Sequence, residues 1–308
     1  MRVHEFLQLY ESGHRNFKGI NLSGADLSNC ILVNVDLSGA DLTGANLSRT
    51  FLTRGQFVGT QLQRANLKFA KLSESNFSRA NLTKSQGHGA FWIRSELSYA
   101  RLSGAQLAHV NFRQSCLRCA NFCGAVLTGA NLRETQLSGA NFAWANLGDA
   151  RLYGANITAV QFNGAHLAGS RLNGLNFRGR DLNGINFSNA HMKGTNLQET
   201  NLIAANFSHA QLQHANLQQA NLVGANFHFA QLQRANLIDA DLNRAIVDQA
   251  DVTGALLTNT ILDNTQAVLQ THQKLSTRQP VAISPSQTQT PVTPSKLYVS
   301  LFPPVLVR

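Results

Sequence analysis

The sequence predicts an all-β solenoid, and three regularities carry that reading. From Phe17 to Leu262 every fifth residue is apolar except Gly87, so the chain runs through fifty five-residue repeats without an insertion or a deletion. The residue two before each centre is Ala 29 times and Gly, Ser, Thr or Cys 13 times, and the residue just before it is Asn or Asp in 27 of the fifty repeats. Of the 23 glycines, 19 stand two residues after a centre, where a tight turn that recurs asks for positive φ. A strict period of five fits neither the 3.6-residue period of a helix nor the 2-residue period of a strand, so it belongs to a repeat architecture. Each unit is a short extended piece followed by a corner.

The unit reads Ala-Asn/Asp-Leu/Phe-x-x, as in the segments that start at Ala45 (ANLSR) and Ala225 (ANFHF). In this the chain resembles the pentapeptide-repeat proteins over residues 15–264. The resemblance implies a right-handed, four-sided β-helix in which four repeats make one coil, with the central Leu or Phe and the small residue two before it pointing inward. Fifty repeats then make about twelve coils, and at a strand spacing of roughly 4.8 Å the tube is about 60 Å long. The unbroken phase leaves no linker inside the repeats, so this is one elongated domain with a narrow core and no deep cavity.

The ends differ from the middle. Residues 1–14 put Val3, Phe6, Leu7 and Tyr10 on one face of a short helix, which is expected to cap the first coil. The opening, with its Gly13, Arg15 and Phe17, is similar to the start of many cyanobacterial pentapeptide-repeat proteins. After Leu262 the period stops, and Val268, Leu269, His272 and Leu275 make 265–279 a candidate C-terminal cap. All six prolines lie in 280–308, a Pro/Thr/Gln-rich stretch with the composition of a disordered tail. Met1 to His14 lacks the long apolar core of a signal peptide, and no stretch approaches the roughly 20 apolar residues of a membrane span, so the expected location is cytoplasmic.

Two interior irregularities read as structure. Gly87 leaves a central position empty, and Trp92 in the next repeat is placed to lean into the void. Leu175, Arg180 and Ile185 replace the small inward residue within a single coil. An arginine facing the interior is costly without a partner, so Arg180 must turn its guanidinium out or find carbonyls where the coil widens. Stacked aromatic columns are expected at Phe122, Phe142 and Phe162 and again at Phe187, Phe207 and Phe227.

The same spacing argues against an enzyme. The ten histidines scatter over different phases of the repeat, and no nucleophile, base and orienting acid come together. Asp26, Asp36 and Asp41 form a row, yet Asn fills the same slot far more often than Asp, in 21 of the fifty repeats, which implies hydrogen bonding to a turn. The glycines are corner residues, not a phosphate-binding loop, and no cofactor is expected. Cys30 reads as a small inward residue. Cys116, Cys119 and Cys123 cluster in one coil with His109 nearby, but they sit at different phases and would splay around a corner, so no metal is predicted against the four converging ligands of a structural zinc site.

Binding is the function class that remains. The net charge is +10, and between residues 40 and 120 eleven basic side chains stand against three acidic ones. The resemblance brings in family members that protect DNA gyrase by imitating DNA with an acidic surface. This chain has the opposite sign, which disfavours mimicry. It leaves open nucleic acid, topoisomerase association, anionic lipid headgroups or an acidic protein as partners, although flat sides offer nothing that fits a groove to read bases. Writing the chain in rows of twenty exposes one face of interest. Its outward positions begin with Ile31, Val33, Phe51, Phe91 and Ile93, with Phe69 at the adjoining corner, and continue as Arg113, Arg133, Arg151, Tyr153, Arg171, His191 and Lys193. Apolar residues grouped on one side tend to mark contact sites. The predicted role is a non-enzymatic, regulatory scaffold that binds a protein along this face. A nucleic-acid-binding protein and a self-associating structural module are the alternatives.

Overall fold

In the computed structural model, residues 1–262 are described. Parallel bridges join residues twenty apart, from Asn16 with Asp36 to Asp241 with Ile261. Four repeats therefore make one turn, and each turn stacks on the next in register as a β solenoid. The candidate cap at 265–279 and the tail at 280–308 lie outside the described residues.

Three backbone bonds recur from repeat to repeat wherever the ladder is closed. In the repeat centred on Leu127, Leu127 N donates to Asn146 O at 2.7 Å and Gly129 N to Gly148 O at 2.8 Å, while Val126 N reaches back to Ala105 O at 2.9 Å. A fourth closes the corner, as when Ala130 N donates to Leu127 O at 2.9 Å. With positive φ at the third residue of that turn, the corner is of type II. Every residue two after a centre from Gly19 to Asn259 has positive φ, and thirty of them are not glycine, with φ from 53° to 61°. Glycine is thus the convenient residue at the corner and not the required one. The side chains held there in the left-handed region, at a cost of order 1 kcal/mol each, are supported by ladder bonds on both sides.

The Asn/Asp slot has its explanation in the same corner. Asn141 Oδ1 accepts the Ala143 N–H at 2.9 Å, and Asp26 Oδ1 accepts the Ser28 N–H at 3.0 Å. The spare amide protons link turns, with Asn66 Nδ2 donating to Asn46 Oδ1 and Asn46 Nδ2 to Asp26 Oδ1, both at 3.0 Å. Ser28, by its backbone N–H first, holds the Asp26 carboxyl below its ordinary range, and Thr43, by its side-chain hydroxyl first and then its backbone N–H, lowers that of Asp41. At Asp36 partial burial pushes upward, but bonds from Ser38 and Lys18 outweigh it and the net direction is down. The row of acids serves the turns.

Inside, the centres and small residues form one continuous core. Where Thr replaces Ala its hydroxyl finds a carbonyl, either of the turn below, as with Thr50 Oγ1 to Leu27 O at 2.7 Å and Thr60 Oγ1 to Leu37 O at 2.8 Å, or of its own turn, as with Thr135 Oγ1 to Leu132 O at 2.7 Å. Phe122 stacks on Phe142 at 4.7 Å and Phe142 on Phe162 at 5.9 Å, and Phe187, Phe207 and Phe227 stack at 5.2 and 5.0 Å. These columns are part of a longer chain of ring contacts that steps between sides of the lumen, from Phe57 and Phe77 through Trp92 and Phe112 to Phe122. Trp92 is fully buried, and a Cβ built on Gly87 would meet its ring at 3.4 Å and Leu107 Cδ2 at 2.8 Å, so the void is filled. Its indole N–H has no hydrogen-bond partner.

Helix α1, Val3–Glu11, precedes the first turn. Glu5 Oε2 accepts the Arg2 N–H at 3.1 Å at its start. Phe6 is fully buried with its ring 4.6 Å from that of Phe17, and Tyr10 Oη donates to Val33 O at 3.0 Å.

The coil with large inward residues breaks the ladder. Leu175 and Ile185 are buried, and Arg180 donates from Nη1 to Val160 O and from Nη2 to Ile157 O. Of the two outcomes open to it, Arg180 takes the carbonyls of a widened coil. Among the described residues, no bridge joins Asn156 to Asn176 or Gln161 to Asp181. Val160 O is the acceptor that the regular pattern would give to Asp181 N, so the guanidinium replaces a ladder bond. Burial draws the Arg180 pKa down from its ordinary value.

Candidate partner-binding face

The column that runs Ile31, Phe51, Lys71, Phe91, Asn111, Asn131, Arg151, Arg171, His191 is held by consecutive parallel bridges, so the residues singled out on this face do stand one above another. Beside it, on the far side of the buried centres, runs a second column that contains Val33, Ile93, Arg113, Arg133, Tyr153 and Lys193. The face has two halves.

In the apolar half, Ile31 is 67% exposed and Phe51 45%, while Phe91 and Ile93 are partly covered. Lys71 lies between Phe51 and Phe91 and sets its ammonium 3.6 Å from the centre of the Phe91 ring. Lys71 was legible in the rows of twenty and interrupts the apolar run. Val33 lends its carbonyl to Tyr10, so α1 reaches this end of the face. Phe69, at the corner, sits against the His88 ring at 5.5 Å and over Gly89.

The basic half changes columns. Arg113 and Arg133 occupy the second column, Arg151 and Arg171 the first, and Tyr153 follows Arg133 in the second. The crossover brings Arg133, Arg151, Arg171, Tyr153 and Asn173 around one open pocket of about 270 Å³. Asn173 Oδ1 accepts the Lys193 N–H at 2.9 Å, which places Lys193 beside it. Arg113 is neutralised by Glu134 at 3.6 Å, and that carboxylate also accepts from Gln114 Nε2 at 2.7 Å. His191 is half-buried at the end of the row.

Among the described residues, the most exposed large apolar side chain lies elsewhere. Trp144, 73% exposed, covers Gly164 from a corner with φ of 60°. Corner positions have no apolar preference in the repeat, so nothing in the period pointed to it. Cys116, Cys119 and Cys123 are free thiols, Cys119 exposed and the others partly buried, and no cluster of metal-ligating side chains occurs among the described residues. Cys116 Sγ lies 3.2 Å from Ser98 Oγ, and His109 packs on His88 at 5.4 Å. No helix among the described residues is long and apolar enough to cross a membrane.

A stack of turns whose interior is filled by one continuous apolar core, with its chemical variety on the outside, defines a repeat β solenoid. The family profile for pentapeptide repeats matches in segments that run from residue 16 to residue 267, leaving out only 56–59 and 87. The chain belongs to the pentapeptide-repeat family. No curated protein matches it. Among solved structures it is similar to HetL, a pentapeptide-repeat protein involved in heterocyst differentiation regulation in the cyanobacterium Nostoc sp. strain PCC 7120, at 29% identity over 85% of this chain and 94% of that one, with a TM-score of 0.33. It is also similar to full-length QnrB1, a plasmid-mediated fluoroquinolone resistance protein, at 23% identity over 84% and 99% with a TM-score of 0.29. A third is Rfr23 from the cyanobacterium Cyanothece 51142, at 21% identity over 54% and 98% with a TM-score of 0.16.

Proposed function

We propose that this protein is a non-enzymatic scaffold that binds a partner protein along the face from Ile31 to Lys193. The observation that supports it most is the pairing, on one straight side, of exposed Ile31 and Phe51 with the arginine-lined pocket, since an apolar anchor beside a charged one is how a rigid surface gains both affinity and register. In this reading the solenoid of about twelve right-handed, four-sided coils is a ruler, and α1 closes its N-terminal end. Within the described residues, the domain layout of this reading is a cap over 1–14 followed by the β-helix from residue 15 onward.

The test is affinity capture from source-cell lysate, with intact protein set against a Phe51→Asp, Phe91→Asp, Arg133→Glu variant of matched thermal stability. Proteins retained by the first and lost by the second are the expected result. Recovery of the same proteins by both would remove this face from consideration.

A further inference from the structure

The basic half of the face is more specific than a general positive charge. Arg54 and Arg178 each hold a carboxylate, Glu74 at 2.9 Å and Glu199 at 2.8 Å, and Arg113 has Glu134. Arg133, Arg151 and Arg171 have no carboxylate partner among the described residues. These three line a single pocket. Arg151 and Arg171 are paired in register, an arrangement of like charges that costs stability in a sheet. Glu134, the acid next in sequence to Arg133, is turned to Arg113 and Gln114 and does not line the pocket. The space is therefore a concave site with three guanidiniums, a Tyr153 ring and hydroxyl, and the Asn173 amide, but no acceptor of matching charge.

We propose that this pocket binds a phosphoryl group carried on an extended segment of the partner protein. The inference rests on the scaffold reading and adds the chemistry of the partner to it. Three converging cations call for an anion with more than one charge and several acceptor oxygens. A phosphorylated side chain supplies about two charges and three oxygens that match the forked donors of arginine, while a carboxylate supplies one charge and two oxygens. The extent of the charge favours a polypeptide over a nucleic acid. The pocket spans the turns of Arg133, Arg151 and Arg171, and the first column returns to neutral at Asn131 on one side and Gln211 beyond His191 on the other. A nucleic-acid backbone is held by a longer series of cations, one for each phosphate neutralised. The apolar half gives a length as well. Phe51 and Arg151 are five turns apart, about 24 Å at the ladder spacing, which about seven extended residues would bridge.

The prediction is a phosphorylated side chain about seven residues from an apolar anchor. Titration calorimetry on the full chain tests it with a Gly/Ser peptide that carries one phosphoserine and, seven residues away, one Phe. Controls are the same peptide without phosphate, the same without Phe, inorganic phosphate, and a twelve-nucleotide single strand. The phosphorylated peptide should bind at least tenfold more tightly than each control. An Arg151→Gln, Arg171→Gln variant should lose that margin, and Arg64→Gln, which alters an exposed arginine on another side, should keep it. Equal binding of the phosphorylated and plain peptides would overturn the proposal. So would inorganic phosphate binding as tightly as the peptide, which would make the site one for a free anion. Tighter binding of the single strand, weakened alike by Arg64→Gln, would mark a polyelectrolyte surface instead. Phosphatase treatment of the lysate before capture separates this inference from the one beneath it. Partners still lost by the Phe51→Asp, Phe91→Asp, Arg133→Glu variant but indifferent to phosphatase would leave the scaffold standing and the phosphoryl site refuted.

Discussion

Two neighbouring stretches of the same solenoid differ in how they are held. Eight backbone bonds of 2.8–3.1 Å join residues 134–145 to 153–166, among them Leu137 N to Asn156 O, Phe142 N to Gln161 O and Asn156 N to Thr135 O. One turn further on, among the described residues, the eight equivalents that would join 154–165 to 173–186 are absent. The centres on both sides are ordinary, Ile157 and Phe162 against Phe177 and Leu182. What changes is the inward slot before them, where Leu175, Arg180 and Ile185 stand in place of Ala. A lumen sized for Ala and Leu has no room for two large residues per repeat, so the turn carrying them is held off the one below, and Arg180 fills part of the opening. The comparison teaches that the apolar centres set the fold while the small slot sets the ladder. In a solenoid, where each turn touches only its neighbours, such a break is a boundary between two cooperative blocks.

The largest effect expected from this contrast is a difference between truncations. Leu217→Ala, in the closed region, should cost about 2–5 kcal/mol by leaving a cavity that the ladder prevents from collapsing. The triple change Leu175→Ala, Arg180→Ala, Ile185→Ala should cost far less than three such truncations, because the turn can close. Chemical denaturation measures both, and a loss in the triple variant equal to three buried truncations would end the account of the seam. Next comes Arg180→Leu, which keeps the bulk but removes the donors to Ile157 O and Val160 O. It should lower stability by about 1.5–3 kcal/mol, the usual range for a charged hydrogen bond. In hydrogen exchange of the native protein, Ile157 and Phe162 amides should exchange at least tenfold faster than those of Leu137 and Phe142, and in the triple variant that difference should shrink. Equal protection in the native protein would show that the seam is closed in solution.

The second irregular site tests whether the lumen tolerates a vacancy only when a neighbour fills it. Gly87→Leu alone should destabilise by about 1–3 kcal/mol through overpacking against Trp92 and Leu107. Adding Trp92→Leu should recover most of it and also remove a buried indole N–H without a partner, and a double variant no better than the single one would refute the coupling.

The smallest effect concerns the aspartates of the first turns. Asp26, Asp36 and Asp41 have folded-state pKa values lowered by hydrogen bonds, so each adds stability that is present above its unfolded pKa of about 3.9 and is lost as pH falls through the lower folded value. Below about pH 4 the N-terminal turns should weaken before the rest. Asp36→Asn with Asp41→Asn should flatten that response while changing stability at pH 7 by less than about 1 kcal/mol, since Asn makes the same bond at Asn141. Acid unfolding followed by circular dichroism decides it.

Much of this was legible in the chain because one short motif repeats with unvarying phase. The centres, the small slot, the Asn/Asp bond to the turn and the rings stacking at intervals of twenty all follow from position modulo five and twenty. The corners were only partly legible. Glycine marked nineteen of them, but Trp144, Phe69 and Arg49 take the same left-handed conformation, which no side-chain preference announces. The face was legible as a set of residues and not as a site. Its column and its exposed Ile31 and Phe51 came from the register, whereas Lys71 over Phe91, α1 reaching Val33 and the turning of Glu134 to Arg113 depend on how side chains settle.

The sequence by itself determined the solenoid and the two places where its slots depart from the pattern, because a period is a local property that each repeat restates; that four repeats close a turn came with the family resemblance. Only the tertiary structure decided that the strain at Arg180 opens the ladder instead of turning the side chain outward, and that three arginines from three turns meet around one pocket. Both outcomes depend on the competition among groups brought together by stacking, for carbonyls in the first case and for a single carboxylate in the second. No one repeat contains that competition.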